Sequence, residues 1–303
     1  MILILLLYTL LGFSFTLGKI TLFYASPFYV VGSRMIIGGI GLALYYYFFQ
    51  STTYRFQMKD WPAFMQVTLF GIVVPYCLRA WGLNYLSSTK AAFIFTLMPF
   101  FTALFSYLFH KERLSYQKSI GLMLGFLGMM PTLFTGSSFE TLAGSFGLFS
   151  WPEIAMLGAV ASFGYNLIAL KHLVKTRQCP ASLANGLTML FGGFIALNLS
   201  FIVEPVWIFK DPLTFAGFLA LQIVISNLIC SNLQAALLKT YSSTFMAFAG
   251  FLTPLCASAF GWFFLNEEIK VQYLVSLLMV MIGLAMFYFD EITSLKKKAV
   301  SFE

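Results

Sequence analysis

One arginine stands well inside an apolar stretch of this 303-residue chain. Arg34 lies about seven residues beyond Pro27 in a candidate membrane-spanning helix, which corresponds to roughly 10 Å of helix rise. A cation at that depth is costly unless it faces a wet cavity or a partner. We expect Arg34 to face a cavity and to attract an anionic group such as a carboxylate, with extension to the membrane surface as the alternative.

Two further cations, Lys19 and Arg79, stand nearer the ends of apolar stretches. Long basic side chains at such positions bury their aliphatic stems and reach the interface with their charged ends. We therefore expect both side chains to extend to the membrane surface.

Hydroxyl and amide side chains also interrupt the apolar stretches. An amide that faces lipid would leave its donors unsatisfied, so these groups are expected to face inward. The residues are Ser14, Gln66, Asn166, Asn185, Gln222, Asn227 and Asn232. We assign four of them to a ligand site, namely Ser14, Asn166, Gln222 and Asn227.

Aromatic rings could complete that site, because a ring face attracts a cationic or sulfonium centre. The candidates are Tyr8, Phe13, Tyr76, Phe163, Tyr165 and Phe248. With 18% aromatic residues in the chain, ordinary packing is the competing interpretation of each ring.

The apolar stretches contain no acidic residue at their centres and no H-E-x-x-H, G-x-S-x-G or P-loop motif. A membrane-embedded enzyme would need such groups at membrane depth, so that function class is disfavoured. A simple proton relay would also need acidic or histidine side chains at membrane depth. Their absence from the centres of the apolar stretches favours exchange or facilitated transport. The four separated cysteines, Cys77, Cys179, Cys230 and Cys256, indicate packing, and no metal or cofactor is expected.

The composition specifies the environment of these residues. The chain is 60% hydrophobic and 10% charged, with a mean hydropathy of +0.86, whereas soluble domains are about 25% charged. A water-soluble globule is excluded, and the partner of the outer surface is a lipid bilayer. The net charge of +7 is assigned to membrane topology and not to nucleic-acid binding.

Apolar runs of roughly 20 residues, the length that crosses a bilayer as a helix, predict an all-α membrane protein with ten spans. These spans are 2–24, 27–49, 61–81, 88–109, 116–134, 149–171, 182–203, 212–238, 242–264 and 270–290. The first span lacks the basic start of a cleavable signal and is expected to be retained. Lysine and arginine concentrate in the connectors of one side, which predicts that both termini are cytoplasmic.

The sequence matches itself at an offset of 155. Residues 86–130 and 241–285 share 13 identities in 45 positions, where roughly four are expected by chance. We therefore divide the chain into two five-helix repeats, 1–148 and 149–303. An odd number of spans inverts the second repeat, and inverted repeats are typical of secondary transporters.

The duplicated landmarks include a proline and an acidic residue in each copy. Pro99 and Pro254 fall within the fourth and ninth spans, where a proline can kink the helix. The kink could serve a moving helix or a static bend. Glu112 and Glu267 follow at matching distances and are expected to cap the N-terminus of the next helix.

Small residues in the fifth span, Gly121 and Gly125, allow close approach of helices. Packing inside the bundle is one interpretation, and a homodimer through this span is the other. The expected assembly is therefore a monomer or a homodimer.

These features together resemble the drug/metabolite transporter superfamily, in its ten-helix EamA-type branch. The resemblance covers nearly the whole chain and is carried by Leu11-Gly12-Phe13-Ser14-Phe15 ending in Lys19, by Pro27 with Arg34, and by the two proline–glutamate pairs. The chain departs from the usual pattern at Leu11, where a tryptophan is common.

The resemblance implies a central cavity enclosed by the first four helices of each half, in a multi-pass protein of the bacterial inner membrane. It implies small-molecule substrates such as amino acids, nucleosides or drugs, and some members import S-adenosylmethionine. We expect alternating-access transport of an amino acid or amino-acid derivative, S-adenosylmethionine included. Export of drugs or aromatic amino acids is the alternative.

Overall fold

The computed structural model describes most of the chain. The described residues are 2–49, 54, 57–110, 116–128, 130–133, 142–147, 149–208, 210–241, 243, 246, 249–268 and 270–300.

Helices make up nearly all of this structure. In chain order they are α1 (Ile2–Leu22), α2 (Pro27–Phe49), α3 (Met58–Tyr85), α4 (Ser88–Phe109), α5 (Tyr116–Gly128), α6 (Trp151–Thr176), α7 (Ala181–Val203), α8 (Pro212–Thr240), α9 (Leu252–Leu265) and α10 (Val271–Val300). A short helix, Met130–Leu133, follows α5, and a two-stranded hairpin of β1 (Ser145–Phe146) and β2 (Phe149–Ser150) precedes α6.

Seven of the described helices are long and apolar enough to cross a bilayer, namely α1 to α4 and α6 to α8. Three shorter apolar segments, 123–132, Leu252–Leu265 and Val271–Gly283, lie at the fifth, ninth and tenth predicted spans. The all-α membrane class is therefore confirmed. The chain is a multi-pass membrane protein whose spans fall where the apolar runs predicted them.

Two of the long helices contain a wide π-helical segment. It occupies Thr68–Val73 in α3 and Ile223–Cys230 in α8. The two segments begin 155 residues apart, the same offset that relates the matching halves of the sequence. Such bulges are frequent at functional sites, and both helices contribute side chains to the cavity described below.

Glycines bring α2 and α7 into close contact. A Cβ added at Gly32 would lie 2.7 Å from the backbone nitrogen of Leu197, and one at Gly186 would lie 3.2 Å from that of Ala43. Gly32 and Gly186 are 154 positions apart in the sequence, and so are their contact residues Ala43 and Leu197. This spacing agrees with the duplication, which remains a prediction.

A second glycine contact joins α5 to α10. A Cβ at Gly128 would lie 2.8 Å from the Cβ of Met279, and one at Gly283 would lie 2.7 Å from the carbonyl oxygen of Gly121 and 2.6 Å from the backbone nitrogen of Gly125. The small residues of the fifth span therefore pack inside the bundle. This contact supports the first interpretation of that motif, because the same face is occupied within one chain.

The two prolines lie next to breaks in their helices. In α4 the α-helix gives way to a 3-10 turn at Phe95–Leu97, immediately before the segment that contains Pro99. Pro254 lies in the first turn of α9. The described structure thus places both prolines at an interruption or start of regular helix, and movement about them stays a prediction.

The carboxylate of Glu267 caps a helix, but not the one expected. It accepts hydrogen bonds from the backbone nitrogens of Ser88 and Thr89, at 2.7 and 2.9 Å, and from both of their hydroxyls. The capped helix is α4, and not the following α10. The expectation that it would cap the next helix was therefore wrong, because the folded chain brings the α9–α10 connector onto the start of α4. Glu112 lies outside the described residues.

A similar contact closes the start of α2. Glu204, at the end of α7, accepts hydrogen bonds from the backbone nitrogens of Phe28 and Tyr29 at 2.8 and 3.0 Å. A carboxylate at a helix N-terminus satisfies free N–H groups and interacts favourably with the helix dipole. A segment far away in sequence therefore fixes the start of α2, the helix that carries Arg34.

Glu267→Ala should destabilise the folded protein by about 1–3 kcal/mol, because it leaves buried N–H and hydroxyl groups without their acceptor. Thermal unfolding of the purified protein in detergent measures the effect. Glu268→Ala is the matched control, since the side chain of Glu268 is exposed. Equal melting temperatures for the two variants would contradict the capping role.

Candidate functional site

Two adjoining chambers lie between the helices. The arginine chamber is lined by Gly18, Leu22, Val30, Val31, Arg34, Tyr76, Arg79, Ala80, Leu83 and Gln222. The aromatic chamber is lined by Tyr8, Leu11, Phe15, Tyr76, Arg79, Phe95, Met98, Phe163, Gln234, Gly250 and Thr253. Tyr76 and Arg79 line both chambers and therefore stand between them.

Arg34 faces the arginine chamber, and its side chain is buried. The central guanidinium carbon lies 4.7 Å from the centre of the Tyr76 ring, close enough for a cation–π contact. Its Nε has no hydrogen-bond partner among the described residues. This group is thus a buried cation with a donor free to bind a ligand.

Arg79 is also buried, with 7% of its surface exposed. Its Nη2 donates a 3.3 Å hydrogen bond to the carbonyl oxygen of Ser14, and its guanidinium lies 4.0 Å from the Phe15 ring centre and 5.9 Å from that of Phe95. The expectation that Arg79 would extend to the membrane surface was wrong. Ring faces and a carbonyl group hold it inside the bundle instead.

Lys19 is bound to the end of a neighbouring helix. Its Nζ donates to the carbonyl oxygens of Leu83 and Asn84 at 2.7 and 3.0 Å. A cation at the last turn of a helix interacts favourably with unpaired carbonyl groups. Lys19 therefore fixes the end of α3, which is the segment that carries Arg79.

Gln222 of α8 lines the same chamber as the two arginines. Its Oε1 has no hydrogen-bond partner among the described residues. A Cβ added at Gly18 would lie 3.2 Å from Nε2 of Gln222 and 3.9 Å from Nη2 of Arg79, so the absence of a side chain at Gly18 leaves room between them. The chamber thus presents a cationic donor and a neutral acceptor to a bound molecule.

Five of the sequence-predicted site residues line these chambers. They are Tyr8, Arg34, Tyr76, Phe163 and Gln222. In the aromatic chamber, the Tyr8 hydroxyl donates to the carbonyl oxygen of Met246. The Phe163 ring contacts both Tyr76 and Phe95, with ring centres 5.1 and 5.6 Å apart.

The structure places two other predicted rings elsewhere. Phe13 packs against Phe260 and Phe264. Tyr165 lies in a separate apolar groove with Phe70 and other rings. Neither side chain lines the two chambers. Phe248 lies outside the described residues.

The remaining polar candidates lie at helix contacts. The amide of Asn166 packs against Gly71, and the Nδ2 of Asn227 donates to the sulfur of Met35 at 3.0 Å. Ser14 is fully buried, and its carbonyl oxygen, not its hydroxyl, contacts Arg79. These groups are inward-facing, as expected, but they join helices and do not line the chambers.

Gln66 is the exception among the inward-facing predictions, because its side chain is exposed. It stands near the start of α3, where water or lipid headgroups can bind an amide.

Several chamber residues were not predicted from the sequence, above all Phe15, Arg79, Phe95, Met98 and Gln234. One signal was available for Arg79. It follows Tyr76 by three positions in α3, and residues three apart share a helix face. A cavity-facing Tyr76 therefore implies a cavity-facing Arg79.

Among the described residues, no group of three or more histidine, cysteine, aspartate or glutamate side chains could hold a metal ion. All four cysteines are free thiols. The side chains that line the chambers can bind a ligand by electrostatic attraction, hydrogen bonding and ring stacking.

The chain resembles known transport proteins over nearly its whole length. The model of the EamA-like transporter family matches residues 1–134 and 150–289. This chain belongs to the EamA-like transporter family. An EamA-like transporter is a membrane protein that moves small molecules, which fits two chambers enclosed by apolar helices.

Two chlamydial relatives of this EamA-like transporter share 32% of its residues. Both are named S-adenosylmethionine/S-adenosylhomocysteine transporter. The Chlamydia muridarum protein is matched over 92% of this chain and 88% of its own length, and the Chlamydia trachomatis serovar L2 protein over 92% and 85%. A solved crystal structure aligns with a TM-score of 0.63 at 16% identity, over 94% of this chain and 93% of its own, which shows the same fold.

Arg34→Met should raise the melting temperature of the ligand-free transporter, because an apolar side chain replaces a buried cation that has no carboxylate partner among the described residues. Replacing buried charges by apolar groups can stabilise a protein by about 1–4 kcal/mol. Thermal unfolding in detergent measures the change.

Arg177→Met is the control with the opposite expected sign. Arg177 pairs with Asp60 at 3.4 Å, and Asp60 is buried, so removal of the arginine leaves a carboxylate unpaired. A lower melting temperature for Arg34→Met would contradict the view that Arg34 is held for its ligand.

Proposed function

We propose that this protein is a secondary transporter of S-adenosylmethionine and S-adenosylhomocysteine, and not an enzyme. The observation that carries the proposal is that the arginine chamber contains two polar groups without hydrogen-bond partners among the described residues. Arg34 offers a donor, and Gln222 offers an acceptor. The names and the 32% identity of the chlamydial relatives support the same substrates.

The arginine chamber suits the amino-acid end of such a molecule. A guanidinium binds a carboxylate through charge-assisted hydrogen bonds. The Oε1 of Gln222 can accept a hydrogen bond from an ammonium group, which has donors only. One carboxylate and one ammonium on the same carbon would therefore both find partners within one chamber.

The aromatic chamber suits the remainder of the substrate. Its rings include Phe15, Tyr76, Phe95 and Phe163. Ring faces attract a sulfonium centre by cation–π interaction, and planar groups such as adenine stack on them. Met98 adds a flexible apolar side chain to the same wall.

Transport requires access from both membrane faces in turn. We propose that the repeats 1–148 and 149–303 supply this by exchanging conformations, as inverted repeats do in secondary transporters. The 154-residue spacing of the glycine contacts and the 155-residue spacing of the π segments support this division. The site between α1, α2, α3 and α8 would then open alternately to each side.

The proposed mode is exchange or facilitated transport in a bacterial inner membrane, with both termini cytoplasmic. The acidic residues of the chain all lie in connectors or near span ends, which supports a mechanism without an intramembrane proton relay. The positive connectors support the orientation.

Expression of the wild-type protein in a bacterium that cannot take up S-adenosylmethionine should produce uptake of the labelled compound. Unlabelled S-adenosylhomocysteine should compete, since it differs in lacking the sulfonium methyl group. Arg34→Met should lower uptake at least tenfold at equal membrane abundance, because the carboxylate loses its charged partner, and a tenfold loss corresponds to about 1.4 kcal/mol.

Arg177→Met serves as a control here too, because it removes a cation that lines neither chamber. A panel of labelled amino acids, together with efflux from cells preloaded with aromatic amino acids or a hydrophobic drug, distinguishes the competing functions. Transport of one of those compounds in place of S-adenosylmethionine would overturn the proposed substrate. Equal uptake by the wild type and Arg34→Met would overturn the role of Arg34.

A further inference from the structure

We infer that Arg79 is a second carboxylate-binding residue, which takes the substrate carboxylate when the molecule extends from the arginine chamber into the aromatic chamber. The inference rests on the proposed function and adds a residue to the path of the substrate. It starts from the position of Arg79, which lines both chambers.

Among the described residues, none supplies a counter-ion to Arg79. In the part of the chain that the structure describes, its contacts are one 3.3 Å hydrogen bond to a backbone carbonyl group and the faces of Phe15 and Phe95. A guanidinium has five N–H donors, so one such bond leaves most of its donors available. An anionic group is the ligand that would bind them best.

The ring contact leaves the N–H groups of the Arg79 guanidinium available to a ligand. The guanidinium plane can stack on the Phe15 ring while its N–H groups remain at the edge, which is how arginine combines ring contact with bidentate carboxylate binding. The cap that Lys19 places on Leu83 and Asn84 holds the end of α3 just beyond Arg79. The arginine is therefore presented to the cavity from a fixed helix end.

The two arginines define successive positions for one carboxylate. Arg34 lines the arginine chamber alone, whereas Arg79 lines both. The Tyr76 ring, which contacts Arg34, belongs to the same helix face as Arg79 and also lines both chambers. A carboxylate that leaves Arg34 towards the aromatic chamber therefore meets Arg79 as its next cation.

A ligand pair tests this role separately from a structural one. S-adenosylmethionine and its decarboxylated analogue share the sulfonium, adenosine and amino groups and differ in the carboxylate. Equilibrium binding of each compound is measured with the purified full-length protein in lipid nanodiscs. Wild type, Arg79→Met, Arg79→Lys and the control Arg177→Met are compared.

Arg79→Met should weaken binding of S-adenosylmethionine at least fivefold and change binding of the decarboxylated analogue less than twofold. Arg79→Lys should show an intermediate loss for the carboxylate-bearing compound, because lysine keeps the charge without the planar fork. Arg177→Met should change neither affinity. If Arg79→Met does not fold, the Arg79→Lys comparison decides by the same criterion.

Equal weakening of both compounds by the Arg79 variants would overturn the inference, since it would show a structural role. Unchanged binding of both compounds would overturn it as well. Failure of the wild type to bind S-adenosylmethionine would instead overturn the proposed substrate, and the inference with it.

Discussion

Two guanidinium groups are buried together in one cavity, and no carboxylate of the described chain pairs with either. Removal of a cation from water is costly unless other groups compensate for lost hydration. Ring faces of Tyr76 and Phe15 and the carbonyl oxygen of Ser14 supply part of that compensation. In the proposed function a bound anion supplies the rest.

The walls of that cavity depend on how the helix ends are held. Backbone groups inside a bilayer have no water to bind, so their free N–H and carbonyl groups need partners from the protein. Glu204 caps α2 and Lys19 caps the end of α3, the two helices that carry the arginines. Glu267 caps α4, which contributes Phe95 and Met98. Distant connectors thus set the positions of the ligand-facing side chains.

Hydrophobic run lengths were sufficient to predict the spans, because bilayer thickness imposes one length on every crossing helix. Arg34 was predictable for a related reason, since a cation at that depth needs a cavity. The sequence was less informative about which face of each helix points towards the cavity. Phe13 and Phe15 lie two positions apart, and only the second lines the cavity. In a helix apolar on all sides, no periodicity marks the inner face. The cap that Glu267 provides depended on a contact with a distant segment, which no local pattern contains.

The π segment of α3 lies between its membrane-entry end and the residues Tyr76 and Arg79. A wide turn accommodates an additional residue, and each residue advances a helix by about 100° of rotation. Loss of one residue from Thr68–Val73 would therefore turn both side chains away from the cavity while leaving the span long enough to cross the bilayer. The number of residues in this helix is therefore fixed by the site. Substitutions here are tolerated more readily than the insertion or deletion of a residue.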